Sequence, residues 1–119
     1  MKLEVGMYVR TKGGFINKII SFKSTITNDY VELEDEYYAN KKDILKASYN
    51  IIDLIEVGDY VNGFKIGSLF KNSVATTDDA FKPLEQIFFY ENDIKSIVTK
   101  EQFESMSYKV SKWKNMTYI

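Results

Sequence analysis

At 119 residues, 45 % hydrophobic and 28 % charged, the chain has the balance of a folded globular protein, with room for one compact domain or two small ones packed together. Its 16 basic and 17 acidic residues leave a formal net charge of −1, which argues against a general nucleic-acid coat, and the lack of Cys excludes a disulfide-stapled scaffold. The departure from average usage is aromatic: nine Tyr, eight Phe and one Trp favour pleated structure and offer flat rings for stacking or for an interface.

In chain order, Leu3 to Val9 reads as a short strand, Arg10-Thr11-Lys12-Gly13-Gly14 as a turn, and Phe15 to Phe22 as the return strand. Tyr30-Val31-Glu32-Leu33-Glu34 alternates, with Val31 and Leu33 on one face and Glu32 and Glu34 on the other, the pattern of a half-buried strand. Asp35-Glu36 turns the chain, Tyr37-Tyr38 restarts it, and Asn40 to Asp43 leads into Ile44-Leu45, a short strand or a single helical turn. A second series opens after Tyr49-Asn50 with Ile51 to Ile55, turns at Asn62-Gly63, the strongest hairpin signal in the chain, and returns through Phe64 to Phe70. Thr76 to Asp79 reads as loop, Pro83 precedes a strand from Glu85 to Tyr90, and Asp93 to Val98 is a closing element. Thr99, with Gln102 three residues on, predicts a capping box heading a short helix through Glu104. Met106 to Val110 reads as a last strand, and Trp113 to Ile119 as an aromatic tail that packs on the rest or serves a partner.

The two series repeat. Glu4-Val5-Gly6-Met7-Tyr8-Val9 returns fifty-two positions later as Glu56-Val57-Gly58-Asp59-Tyr60-Val61, and Asp43-Ile44-Leu45-Lys46 returns as Asp93-Ile94-Lys95-Ser96. Gly14-Phe15 matches Gly63-Phe64, with Ile16 and Ile19 set against Ile66 and Leu69. A duplicated unit of about fifty residues accounts for this better than one chance hexapeptide. Each half alone would be marginally stable, so the halves are expected to share contacts.

The acidic residue, Val-Gly, one residue, Tyr-Val and Gly-containing turn, over Leu3 to Ile20 and Ile55 to Leu69, are similar to the opening hairpin of SH3-like small barrels, including KOW and Tudor-type modules. The resemblance implies bent strands closing five-stranded barrels, with ligands met by the loops. At larger scale, Asn50 to Gly63 together with Asp93 to Glu104 resembles a family of small, functionally unassigned proteins of bacteriophages and mobile elements of Firmicutes. That resemblance implies a counter-defence role, and it carries no functional residue.

The chain has neither His nor Cys, the commonest groups of acid–base and thiol chemistry, so no enzyme is expected. The carboxylate pairs Asp53 with Asp59 and Asp78 with Asp79 read as strand ends and turns. Arg10, Lys12, Gly13 and Gly14 form the place where a guanidinium, an ammonium and open backbone N–H groups could meet a phosphate. Tyr8 and Tyr60 hold equivalent repeat positions and read mainly as core, whereas Tyr37, Tyr38 and Trp113 are less constrained by the repeat and either pack in the core or an oligomer contact or stack on a base. Glu32, Glu34, Asp35 and Glu36 form an acidic stretch that either faces solvent or imitates nucleic-acid phosphates toward a basic partner.

The expectation is a mainly β chain of two tandem SH3-like barrel units, residues 1–49 and 50–98, followed by a short helix and a strand or tail over 99–119. Its expected role is non-catalytic: a counter-defence protein that sequesters a nucleotide second messenger through Tyr8, Arg10, Lys12, Gly13, Tyr37, Tyr38 and Trp113. The alternatives are a protein–protein inhibitor of a host defence nuclease, anti-CRISPR in type, using Glu32 to Glu36, and a virion adaptor. No cofactor or metal is expected, and a homo-oligomer is. With no apolar run of signal-peptide or membrane-span length, the expected compartment is the cytoplasm, that of the host cell for a phage protein.

Overall fold

The computed structural model describes residues 2–77 and 86–105. The first sheet contains β1 (Tyr8–Thr11), β2 (Ile16–Ser24), β3 (Asp29–Leu33), β4 (Tyr38–Asn40) and β5 (Ile44–Ser48), in the order β4-β3-β2-β1-β5. The second contains β6 (Tyr60–Val61), β7 (Phe64–Leu69), β8 (Ser73–Thr76), β9 (Phe88–Tyr90) and β10 (Ile97–Val98), in the order β9-β8-β7-β6-β10. All pairings are antiparallel. The two sheets therefore share one strand order, although neither is closed among the described residues. A short helix, α1, covers residues 100–105.

The repeat extends to individual bonds. Gly6 N–H donates to Ile19 O at 2.9 Å and Ile19 N–H to Met7 O at 2.8 Å; Gly58 to Ile66 and Ile66 to Asp59 reproduce both, at 2.9 and 2.8 Å. The register slips at the same place, between Ile19 and Ser21 in β2 and between Ile66 and Ser68 in β7. Ile66 is thus the counterpart of Ile19, which corrects the match to Ile16 expected from the sequence. A three-residue 3₁₀ turn precedes the last strand region of each unit, at Lys41–Asp43 and Glu91–Asp93.

Three segments differ from the sequence reading. Strand does not begin at Leu3, because Gly6 at φ +95° turns the chain and pairing starts at Tyr8. Ile51–Leu54 is a 3₁₀ turn joining the sheets rather than an extended run. Ser73–Thr76 is a fully buried strand, which has no polar–apolar alternation to reveal it. Asn62 (φ +53°) and Gly63 (φ +86°) make the expected hairpin turn, both residues in the left-handed region that a two-residue connection requires. The expected strand Met106–Val110, the tail from Trp113, Asp78-Asp79 and Pro83 lie outside the described residues.

Each sheet has its own apolar cluster. Val9, Ile19, Val31, Leu33, Ala39 and Ile44 form the first, and Ile52, Ile55, Val61, Ile66, Val74 and Phe89 the second. Val9 answers Val61, Ile19 answers Ile66 and Val31 answers Val74, so the conserved alternation of the repeat is its core. Leu54, buried in the 3₁₀ turn between the sheets, belongs to neither cluster, and the side-chain bonds that join the halves centre on Arg10.

Candidate functional site

Arg10 lies on β1 with its side chain fully buried, and it links the first sheet to everything that follows. Its Nη1 donates to Leu54 O at 3.0 Å and to Asp59 Oδ2; its Nη2 donates to Asp59 Oδ1 at 3.0 Å and to Glu101 Oε2 at 2.7 Å. Asp59 is also fully buried, and its carboxylate accepts the backbone N–H groups of Glu56 at 2.7 Å and Lys100 at 2.8 Å. Glu56 approaches Arg10 Nε at 3.5 Å and takes Lys46 at 3.1 Å and Lys100 at 2.7 Å. Three cations thus face three carboxylates. Burial alone would lower the Arg10 pKa, but the hydrogen bonds and charge of Asp59 reverse this and raise it. Lys100 pulls the Glu56 carboxyl down to about 2, aided by Lys46 and Arg10.

The helix is set against this cluster from both sides. Thr99 N–H donates to Gln102 Oε1 at 3.0 Å and Gln102 N–H to Thr99 Oγ1 at 3.3 Å, the capping box expected from the sequence. Thr99 Oγ1 also donates to Gly14 O at 2.9 Å, while Phe103 stacks on Tyr60 with centroids 4.5 Å apart. A Cβ on Gly14, at φ +86°, would run into Thr99 Oγ1 and stand 3.0 Å from Glu101 Cβ, so the hairpin meets the helix at a position only glycine fits. Beside this contact lies a cleft of about 280 Å³, lined by Phe15 and Asp35 from the first unit and by Ile51, Ile94, Lys95 and Gln102 among others.

The residues expected to surround a nucleotide do not form one site. Arg10 is buried and its charge is engaged internally, so it leaves the ligand-contacting set; its guanidinium is a structural joint. Lys12 is exposed and pairs with Asp43 at 3.8 Å, and Gly13 sits at the exposed hairpin tip against Phe15. Tyr37 stacks on Phe15, centroids 5.1 Å apart, near the cleft. Tyr38 is on another face, its hydroxyl donating to Glu32 Oε2 at 3.1 Å. Tyr8 and Tyr60 are half-buried rather than core, on the face opposite Val9 and Val61, and Lys18 stands over the Tyr8 ring at 5.2 Å. Trp113 lies outside the described residues.

The acidic stretch divides as well. Glu32 accepts from Ser21 Oγ at 2.7 Å and from Tyr38, and these bonds lower its pKa. Glu34, Asp35 and Glu36 are exposed in the β3–β4 turn, with Glu36 at φ +66°. Asp53 accepts from Ser48 while Asp59 is held by Arg10, so the two act separately. Among the described residues no group of three or more acidic ligands is placed to hold a metal, and no helix is long and apolar enough to cross a membrane.

The surface that the sequence did not flag is on the second sheet. Residues opposite one another in antiparallel strands share a face. On the first sheet the outward rows are Ser21, Glu32 and Tyr38, then Lys23, Tyr30 and Asn40, a polar network. The corresponding row of the second sheet is Ser68, Ala75 and Phe88, followed by Ser73 and Tyr90, with Phe70 bonded to Ser73 at the turn; Ala75 and Ser73 are themselves buried, and the exposed part of the row is its aromatic rings. Phe70, Phe88 and Tyr90 are 54, 46 and 56 % exposed, and the Phe70 and Phe88 rings are 5.9 Å apart. Glu32 has become Ala75, Lys23 has become Phe70 and Tyr38 has become Phe88, so one copy of the face has turned apolar. No family model, curated protein or solved structure matches this chain.

Proposed function

We propose that this chain is a non-catalytic binding protein of the phage counter-defence kind, built from two SH3-like units, which inhibits a host defence protein by covering it with the aromatic face of its second sheet. The observation that carries the reading is the divergence of the duplicated outward face, polar on the first sheet and aromatic on the second. Exposed Phe and Tyr rings around small buried residues are the chemistry of an interface centre, where aromatic anchors supply most of the binding energy. The identical strand order and matching register slip support the SH3-like reading of the units. The family resemblance of Asn50 to Gly63 and Asp93 to Glu104 supports the counter-defence setting. Engagement of the sole Arg within the fold weighs against a nucleotide held at the β1–β2 hairpin.

The test is phage plating on hosts that each carry one defence system, with the wild-type chain or a F70S/F88S/Y90S variant expressed in trans. Rescue by the wild type, lost in the folded triple variant and kept in Lys12→Ala and Tyr37→Ala, is the expected result. Rescue that survives the triple variant but is lost in Lys12→Ala or Tyr37→Ala would overturn the proposal in favour of sequestration.

A further inference from the structure

We propose that the concavity between the β2–β3 turn and the Lys41–Asp43 turn is a binding site for a small phosphate-bearing ligand. It has a volume of about 300 Å³ and is lined by Thr25, Thr27, Asn28, Asn40, Lys41 and Lys42 among others; the Thr25 hydroxyl donates to Asn28 O at 3.0 Å and Asn28 Nδ2 to Thr27 Oγ1 at 3.3 Å, which leaves the Thr27 hydroxyl, the second hydrogens of the two amides and the lysines for a ligand. Both lysines are exposed, and neither forms an ion pair with a carboxylate among the described residues. Asp29 is the single carboxylate in the lining, leaving the site one positive charge in excess. Asn40 Oδ1 accepts the N–H of Lys42 at 3.0 Å and Asn40 Nδ2 donates to Asn28 Oδ1 at 3.3 Å, so the amides that shape the walls hold one another in place. Lysine serves phosphate as a point charge, and neutral hydroxyl and amide donors complete its shell.

The duplication supplies the comparison. The second sheet has a concavity of about 350 Å³ between the β7–β8 turn residues Lys71 and Asn72 and Glu91, the first residue of its 3₁₀ turn, with Asn50, Ile52 and Asp53 of the segment between the sheets forming the rest of its lining. Glu91 stands where the first unit has Lys41, and its Oε1 accepts the N–H of Ile51, tying down the segment between the sheets. In one copy the position anchors the chain itself; in the other it carries an opposite charge and no described ion-pair partner. Lys41 Nζ is 5.3 Å from the centroid of the exposed Phe22 ring, a flat apolar surface beside Lys41 and adjoining the lining, available for the organic part of a phosphate ester. This site is on the first sheet and does not depend on the partner surface proposed for the second.

The test is a titration followed by backbone amide resonances, with inorganic phosphate in one arm and adenosine 5′-monophosphate in the other. Saturable shifts confined to residues 25–29 and 40–42 are expected, weakened about tenfold in K41A/K42A, the effect of losing charge-assisted bonds. Asn40→Asp, which keeps the acceptor for Lys42 N–H but replaces the donor to Asn28 Oδ1 with a negative charge, is expected to weaken binding and to shift the resonances of Asn28 as well. Tighter binding of the nucleotide that Phe22→Ala abolishes would identify an ester as the ligand, and equal affinities would identify the free anion. Shifts that grow linearly without saturation, or that are the same in K41A/K42A and Asn40→Asp as in the wild type, would overturn the proposal.

Discussion

Arg10 and Asp59 are bonded through both guanidinium Nη atoms across the junction of two duplicated sheets, and each is a departure from its own counterpart. Fifty-two positions relate Met7 to Asp59 and Arg10 to Asn62. Where the first unit packs Met7 against its core, the second holds a buried carboxylate; where the second turns its hairpin with Asn62, the first extends a buried guanidinium. The two changes compensate, since a buried charge is tolerated only when paired and hydrogen-bonded. The halves keep separate apolar clusters and are joined by this pair, together with Glu56, Glu101 and the helix that Asp59 and Gly14 receive.

Gly14→Ala tests the docking of the hairpin on the helix. The substitution combines a left-handed backbone with a collision at Thr99, and a loss of about 1–3 kcal/mol is expected in urea unfolding. Gly13→Ala, whose added methyl meets only the edge of the Phe15 ring, should cost less. Equal effects of the two would show that the helix does not rest on Gly14.

Acid should loosen the junction within a definite window. The Glu56 carboxyl is held at about 2 against an ordinary 4.5, so its contribution is fully present above about pH 4.5 and is lost as pH falls through about 2. The amount is up to about 3 kcal/mol, measured as the fall in unfolding free energy over that interval and largely absent in Glu56→Gln. Lys100 is raised from 10.5 by the same partner, so its contribution is present below that value and disappears as pH rises past it.

Neighbouring phenylalanines of β9 should behave oppositely. Phe89 is buried in the second cluster, and its replacement by Ala is expected to cost about 3–5 kcal/mol. Phe88 is half-exposed beside Phe70, and Phe88→Ser should cost no more than about 1 kcal/mol while weakening the proposed partner contact. Thermal unfolding of the two variants side by side distinguishes the core from the interface.

Much of the fold was legible because its signals are local. The Asn62-Gly63 turn and the Thr99–Gln102 box each depend on residues a few positions apart and stand where the pattern placed them, while the repeated Val-Gly segments match each other but form turns rather than the strand expected from Leu3. Arg10 was misread as a hairpin cation because its partners Asp59 and Glu101 are 49 and 91 residues away. The signal lay in the repeat itself: an acid at the counterpart of a core Met, and a lone Arg in the matching segment. The aromatic face escaped notice because Phe70, Phe88 and Tyr90 meet only through the β8 strand, whose uniformly buried run carries no period.

The central claim is that one buried ion pair makes the two units a single structure. A double-mutant cycle at Arg10 and Asp59, read by urea unfolding, tests it most directly. Arg10→Met alone should cost about 3–5 kcal/mol by stranding Asp59, and adding Asp59→Met, the residue of the first unit at that place, should recover a large part of the loss. Single-site losses within about 0.5 kcal/mol of zero, or effects that merely add, would contradict the account.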